Sequence, residues 1–346
     1  MKIKWGVIGC GGIAYRRTIP GMMLSENSEL FAVMDADFNA ACKVKDEFGA
    51  KYAVMTVEEL LAIKELDAVY IATPVFCHKE QVKKSADAGK HILLEKPMCL
   101  TAEQSQEVKD YCAARGVKLG VGFMMRYSVY HEKMREMIKN GELGELVSLR
   151  AQFTCWYPEI ENAWRQDKKL SGGGALMDMG IHCIDILQYV SGMKAKSLYC
   201  MADNLSFGYN VEDSAVLLMK MENGAMASVE AFFNIPDNAA KCRLEFYGTK
   251  GSILAEGTLG QTDGGFMEVS IEGADKGYSA QQNRASSGFT AVELSGGNLY
   301  EKEISAFADA IITDTEPKIG AEDGIFVQRL VELAYKSAKE GRSVTV

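Results

Sequence analysis

The sequence has no hydrophobic run long enough to cross a bilayer, no cluster of lysine and arginine, no C-x-x-C pair and only four histidines. Each absence removes a class of function. The longest apolar stretches, such as residues 68–72, are strand-sized, whereas a spanning helix takes about 20 apolar residues. The N-terminus begins Met1-Lys2-Ile3-Lys4 and offers only a few uncharged residues before a glycine cluster, too few for the apolar region of a secretory signal. A cytoplasmic protein with no membrane partner is therefore expected. Nucleic acid is not an expected partner either, because the net charge is −9 and no basic face is in sight. The nine cysteines (Cys10, Cys42, Cys77, Cys99, Cys112, Cys155, Cys183, Cys200 and Cys242) are scattered and odd in number. They read as reduced thiols, mostly small core residues, and not as a disulfide frame. With so few histidines, Asp178, His182 and Asp185 find no further ligand cluster, and no metal is expected.

What is present fits an ordinary globular chain: 346 residues, 47% hydrophobic and 25% charged. That length exceeds a single hydrophobic core, so two domains are expected. Residues 1–122 alternate strand and helix signals. Strand-length apolar runs at 3–9, 30–34, 68–72, 91–94 and 118–121 are separated by helical patterns at 13–24, 40–48, 57–63, 79–88 and 102–114. The last helix opens on a capping-box pattern, Thr101 and Gln104. This rhythm predicts an α/β Rossmann domain with a doubly wound parallel sheet. After Phe123 the rhythm changes. Helices are expected at 131–139 and 175–190, strands at 214–221, 225–233 and 243–247, and closing helices at 300–313 and 323–339. The turns Glu222-Asn223-Gly224 and Gly248-Thr249-Lys250-Gly251 favour antiparallel hairpins. Residues 257–300, rich in Gly, Ser, Gln and Asn, are read as long loops or an interface arm. Residues 123–346 are thus expected to form an α+β domain. No internal repeat is found.

Gly9-Cys10-Gly11-Gly12-Ile13-Ala14 is a G-x-G-x-x-A at the junction of the first strand and first helix. Gly9 permits a tight turn, Gly11 lets backbone approach a pyrophosphate, and the small Ala14 lets helix pack on strand. The phosphates then meet free N–H groups at the helix start. As a bare pattern the motif is weak; between a first strand and first helix it predicts a dinucleotide site. Asp35 ends the second strand, 21 residues after Ala14, where an acidic residue accepts hydrogen bonds from ribose hydroxyls. A carboxylate repels a 2′-phosphate, and residues 36–41 hold no Lys or Arg to welcome one, so NAD is expected over NADP. Thr73-Pro74, followed by His78, and Glu95-Lys96-Pro97 end two further strands on the edge where doubly wound sheets bind ligands. His78 alone fits a helix start as well as a site.

A third motif lies downstream: Gly172-Gly173-Gly174-Ala175-Leu176-Met177-Asp178-Met179-Gly180-Ile181-His182. With the glycine turn, Glu95-Lys96-Pro97, Gly122-Phe123 before Arg126, Trp164-Arg165 and Tyr247-Gly248-Thr249-Lys250-Gly251, it makes the chain resemble, over nearly its whole length, the Gfo/Idh/MocA family of oxidoreductases. That family includes glucose–fructose oxidoreductase and the inositol dehydrogenases. The resemblance implies a C-terminal domain with a large, open, mostly antiparallel sheet, often the basis of homodimers or homotetramers. It also implies NAD(P)-linked hydride transfer at a secondary hydroxyl or carbonyl of a sugar, cyclitol or glycoside. By the same matching, Lys96, Asp178 and His182 are the catalytic candidates, and Glu95, Lys96, Arg126, Trp164 and Arg165 belong to the cofactor, the tryptophan and Arg165 near its nicotinamide half. A cis Lys96–Pro97 bond is expected.

Those residue types suit the chemistry. A secondary alcohol is a very poor acid at neutral pH, so its oxidation asks for a base and a cation beside it. Asp178 and His182 are four apart, which on a helix puts them on one face. His182 is read as the base. Asp178 orients it or binds a substrate hydroxyl, and Lys96 stabilises the developing alkoxide. Tyr127 and Tyr157 are candidates to line the substrate pocket. Two other readings stay open: a glycosidase or lyase that uses NAD transiently through C3 oxidation and elimination, and a non-catalytic NAD-binding regulator. The intact Lys96, Asp178 and His182 speak against the regulator.

Overall fold

In the computed structural model, which describes residues 1–272 and 288–346, the first strand β1 (Ile3–Ile8) is buried at every position but Lys4. Such near-continuous burial belongs to a strand covered on both faces. From it the chain winds through a π turn (Ala14–Thr18) and α1 (Ile19–Leu24), β2 (Ser28–Met34), α2 (Phe38–Phe48), β3 (Tyr52–Val54) and α3 (Val57–Leu61). It continues through β4 (Ala68–Ile71), α4 (Val75–Asp87), β5 (His91–Glu95), α5 (Ala102–Ala113) and β6 (Leu119–Gly122). The six strands pair in parallel in the order β3-β2-β1-β4-β5-β6, the doubly wound arrangement that the alternating pattern predicts. Local chemistry sets the helix starts. Thr101 accepts the Gln104 N–H at 3.1 Å, and Thr56 with Glu59 completes a capping box at α3.

Beyond Gly122 come α6 (Val129–Lys139), β7 (Leu146–Thr154), the short α7 (Lys168–Ser171), a second π turn (Leu176–Gly180) and α8 (Ile181–Ser191). Then follow β8 (Ala195–Asp203), β9 (Ser214–Met221), β10 (Met226–Phe232), β11 (Arg243–Gly248), β12 (Gly251–Glu256), β13 (Phe266–Ile271) and β14 (Thr290–Ala291). Helices α9 (Leu299–Ile312) and α10 (Ala321–Glu340) and the strand β15 (Val344–Thr345) close the chain. The nine-stranded sheet runs β14-β13-β12-β11-β7-β10-β9-β8-β15. Among the described residues only the β10–β7 pair is parallel. The strands of this sheet alternate: Leu198, Leu217 and Ala227 are buried, while Met201, Leu218 and Met226 on the opposite face are exposed. The strand β13 falls within the stretch read as loops or an arm; residues 273–287 of that stretch lie outside the described residues.

The chain divides into two units, and the division is not a single cut after residue 122. One unit gathers Met1–Met124, Asn162–Gly172 and Asn298–Arg329; the other gathers Met125–Glu161, Gly173–Gly297 and Leu330–Val346. The physical reason is the apolar stripe of α9: Ile304, Phe307 and Ala308 belong to the same buried cluster as Trp5, Val33, Tyr70 and Leu93. Among the described residues no helix is long and apolar enough to cross a membrane.

Candidate active site

The first unit's site begins where β1 ends. Gly9 has φ +96°, and a Cβ there would come 3.0 Å from the Ala72 carbonyl carbon, so glycine is required on both counts. Its N–H donates to Met34 O at 2.8 Å. Gly11 differs: nothing lies within 4 Å of the place its Cβ would take. That open space belongs to a crevice of about 400 Å³, lined by Gly9, Gly11, Gly12 and Ile13, by Asp35, by Thr73 and Pro74, and by Trp164 and Arg165. Ala14 is fully buried beneath it. A volume of this order suits a small molecule or half of a dinucleotide. The strained turn, the free space over Gly11 and the carboxylate at the end of β2 together fit the pyrophosphate and ribose of a dinucleotide.

Asp35 is fixed by backbone. Its Oδ2 accepts the Cys10 N–H at 2.7 Å and its Oδ1 the Asp37 N–H at 2.9 Å. Burial, followed by the Asp35 charge, pushes the Cys10 thiol up to about 12, so that cysteine is packing and not a nucleophile. The Arg165 guanidinium lies 4.4 Å from the Trp164 ring centroid. His78 is not in the crevice lining. It is buried behind it, with Nε2 2.9 Å from Thr73 O and Nδ1 3.1 Å from both Pro97 O and Met98 O. Burial lowers its pKa despite these carbonyls. The imidazole therefore sits between the two strand-end loops, donating its one N–H to a carbonyl of one of them, and the Lys96–Pro97 peptide in the second loop is cis.

Glu95 turns inward from that loop. Tyr70 Oη donates to Glu95 Oε1 at 2.5 Å, Thr18 Oγ1 donates to Tyr70 Oη at 2.9 Å, and the Lys96 N–H meets Glu95 Oε2 at 3.2 Å. Burial raises the Glu95 carboxyl, against the lowering pull of Tyr70, Lys96 and Arg165. Neither Tyr70 nor Thr18 stands out in the sequence, because both read as core or helix residues.

In the second unit, Asp178 lies in the π turn and His182 in the first turn of α8. Single π turns inside helices concentrate at functional sites. From Gly173 to Leu187 every residue is buried except Asp178, a carboxylate opening out of an apolar helix. His182 is 4% exposed, with its ring 6.3 Å from that of Phe153. The start of this helix is anchored by a residue the motifs do not single out. Glu212 accepts the N–H of Gly174 at 2.9 Å, the N–H of Leu176 at 3.0 Å and the Tyr335 hydroxyl at 2.7 Å. A Cβ on Gly174 would stand 1.9 Å from the Glu212 carbonyl oxygen. The signal available in sequence is the acidic pair Glu212-Asp213 opening an apolar strand; Asp213 in turn gathers the N–H groups of Leu205, Ser206 and Phe207.

The structure places the remaining candidates as follows. Arg126 is engaged with Asp185, its Nε 3.0 Å from both carboxylate oxygens. Asp185 is thereby a counter-ion, and no group of three or more potential metal-ligating side chains occurs among the described residues. Tyr127 is 6% exposed. Tyr157 is half-buried against Phe233, with ring centroids 5.1 Å apart.

Residues 3–123 match the family model described as an oxidoreductase family with an NAD-binding Rossmann fold, and residues 131–254 match the GFO/IDH/MocA C-terminal domain. The chain belongs to the Gfo/Idh/MocA family. It is an oxidoreductase. Its similarity to other Gfo/Idh/MocA members runs end to end. It is 30% identical to D-xylose 1-dehydrogenase (NADP(+)) 2 of Haloferax volcanii, over 99% of both chains. It is 27% identical to 1,5-anhydro-D-fructose reductase of Ensifer adhaerens, over 99% of this chain and 98% of that one. The aldose–aldose oxidoreductase of Caulobacter crescentus shares the fold with a TM-score of 0.89 at 23% identity, each chain fully covered.

Proposed function

We propose that the protein transfers a hydride between a nicotinamide dinucleotide and a secondary hydroxyl or carbonyl of a sugar, cyclitol or glycoside, with NAD preferred over NADP. The observation that carries this reading is the crevice over Gly11, with Asp35 at its edge and Trp164 and Arg165 in its lining. The two relatives named above, one acting on D-xylose and the other on 1,5-anhydro-D-fructose, support a sugar-type substrate. The preference for NAD is supported by the Asp35 carboxylate and by the lack of any cation in residues 36–41; the Haloferax relative, named for NADP(+), points the other way.

The bound dinucleotide supplies the group that takes up or returns the hydride. The chain supplies the rest. His182 removes the hydroxyl proton in oxidation and returns it in reduction, a role typically worth ~10²–10⁴-fold in rate. Asp178, half-buried in its helix, orients the imidazole or holds a neighbouring substrate hydroxyl. Lys96 stabilises negative charge on the reacting oxygen, and the Glu95 turn sets its direction. Tyr127 and Tyr157 complete the substrate surface. The half-exposed apolar face of the nine-stranded sheet supports a homo-oligomer.

The test is direct. The purified protein is examined for bound nicotinamide, then offered sugars, cyclitols and glycosides with NAD or NADP while NADH or NADPH absorbance is followed. Reduced cofactor forming in step with oxidised product supports the reading. Net hydrolysis of a glycoside with no accumulation of reduced cofactor defeats it.

A further inference from the structure

Glu303, on α9, is 1% exposed, and among the described residues no donor reaches either of its carboxyl oxygens. One turn earlier on the same helix, the Tyr300 hydroxyl is likewise buried without a partner among the described residues. An ionised carboxylate held in a core with nothing bonded to it is among the costliest arrangements a protein can contain. Such a group calls for an explanation.

The neighbours supply one. The helix neighbours of Glu303, Ile304 and Phe307, share a buried cluster with Tyr70 and Leu93, and Tyr70 belongs to the chain of bonds that holds the Lys96 turn: Thr18 to Tyr70 at 2.9 Å, Tyr70 to Glu95 at 2.5 Å, and the Lys96 N–H to Glu95 at 3.2 Å. The Glu95 charge acts on Glu303, and the Glu303 charge acts on Tyr70 and Tyr300. The cations that bear on this cluster stand at its edges, Lys96 and Arg165 toward Glu95, Arg16 and Arg17 toward Tyr300. Burial first, and the Glu95 charge second, push Glu303 well above the usual carboxylate range. Two carboxyls enclosed together do not both ionise. Their donors decide which one does: Glu95 receives an O–H, an N–H and the pull of two cations, whereas Glu303 receives none of these.

We propose that Glu303 is a positioning residue for the Lys96 turn, carrying the single proton of the Glu303–Glu95 pair so that Glu95 remains the anion that grips Tyr70 and the Lys96 amide. A second negative charge in this cluster would compete for the same donors and loosen the loop from which Lys96 projects. The effect on turnover rests on the function proposed above; the location of the proton does not.

Glu303→Gln places a neutral group of the same shape where the protonated acid stands. In the unfolded chain Glu303 ionises near pH 4.3 while in the folded chain it stays protonated, so the wild type loses stability relative to the variant as pH rises above about 4.5. Melting curves from about pH 5 to 8.5 should show Glu303→Gln melting above the wild type at the alkaline end, with the gap closing on acidification. A gap independent of pH, or a wild type that melts higher at about pH 8, overturns the assignment of the proton. In turnover assays Glu303→Gln keeps kcat within about twofold, whereas Glu303→Leu lowers it about tenfold at unchanged cofactor KM. Equal loss in both variants overturns the positioning role. Should Glu303→Leu not fold, Glu95→Gln takes its place and is expected to lower kcat by the same factor. A wild type inert toward every sugar would defeat the proposed function alone, leaving the melting curves to decide on Glu303.

Discussion

The Cys10 amide donates to Asp35 Oδ2 at 2.7 Å, so the acidic end of β2 and the glycine turn after β1 form one hydrogen-bonded piece. Asp35 therefore serves the fold, and in the function proposed above it serves the ribose as well. Asp35→Ala is expected to raise the KM for NAD about tenfold or more, since hydrogen bonds to a charged group are worth about 1.5–3 kcal/mol. Asp35→Ser combined with Ala36→Arg should shift preference to NADP. Steady-state kinetics with both cofactors check this. An unchanged KM for NAD in Asp35→Ala would remove the carboxylate from the ribose.

His182→Asn keeps a polar side chain but no base. Turnover should fall by about 10²-fold or more, with cofactor affinity, read by fluorescence titration, essentially unaltered. Full activity in this variant would take His182 out of the proton-transfer role.

Lys96→Met preserves length while removing the charge. We expect kcat to fall while the dissociation constant for NAD moves by less than about threefold, because the contacts expected to hold the phosphates come from the glycine turn. A large loss of NAD binding with normal turnover at saturation would reverse that assignment.

Gly174→Ala probes the anchor of the Asp178 helix. With a Cβ 1.9 Å from the Glu212 carbonyl, the backbone has to move, and a loss of roughly 2 kcal/mol or more in stability follows. Urea denaturation measures it. Turnover should drop further than the folded fraction does, since the displaced segment carries Asp178.

His131 is fully buried, and its Nδ1–H donates to Met125 O at 2.8 Å. Burial depresses its pKa to about 4, below the value of about 6.5 in an unfolded chain. A depressed histidine contributes stability above the unfolded value and loses it as pH falls, here between about 6.5 and 4, at up to ~1.4 kcal/mol per pH unit. His131→Gln should flatten the acid limb of a Tm-against-pH curve over that window.

Much of the first unit is legible in the sequence because its signals are local. Residues 3–9, 30–34 and 68–72 are apolar runs, broken only at Lys4 and punctuated by Gly9, Asp35 and Thr73-Pro74, and β1, β2 and β4 follow them closely. The short β3 is invisible because Tyr52, Ala53 and Val54 are all only half-buried. In the second unit β7 hides for another reason: it carries Arg150 and Gln152, both bonded to Glu230 on the neighbouring strand, and that pairing is a long-range fact. That Asp178 and His182 lie one turn apart on a helical segment is readable from their spacing. Glu212, Tyr70 and Glu303 are not legible in this way, because each acts across the fold on a residue far away in sequence.

A π turn is what a helix makes when it holds one residue more than its neighbours can accommodate. Over Leu176–Gly180 that surplus sits beside the Asp178–His182 pair. Deleting one residue between the two would let the segment relax into an unbroken α-helix with both flanks in place, yet aspartate and histidine would then stand three apart instead of four. Under the function proposed above, architecture and chemistry separate at this point: the scaffold can spare a residue whose loss changes the geometry of the proposed pair.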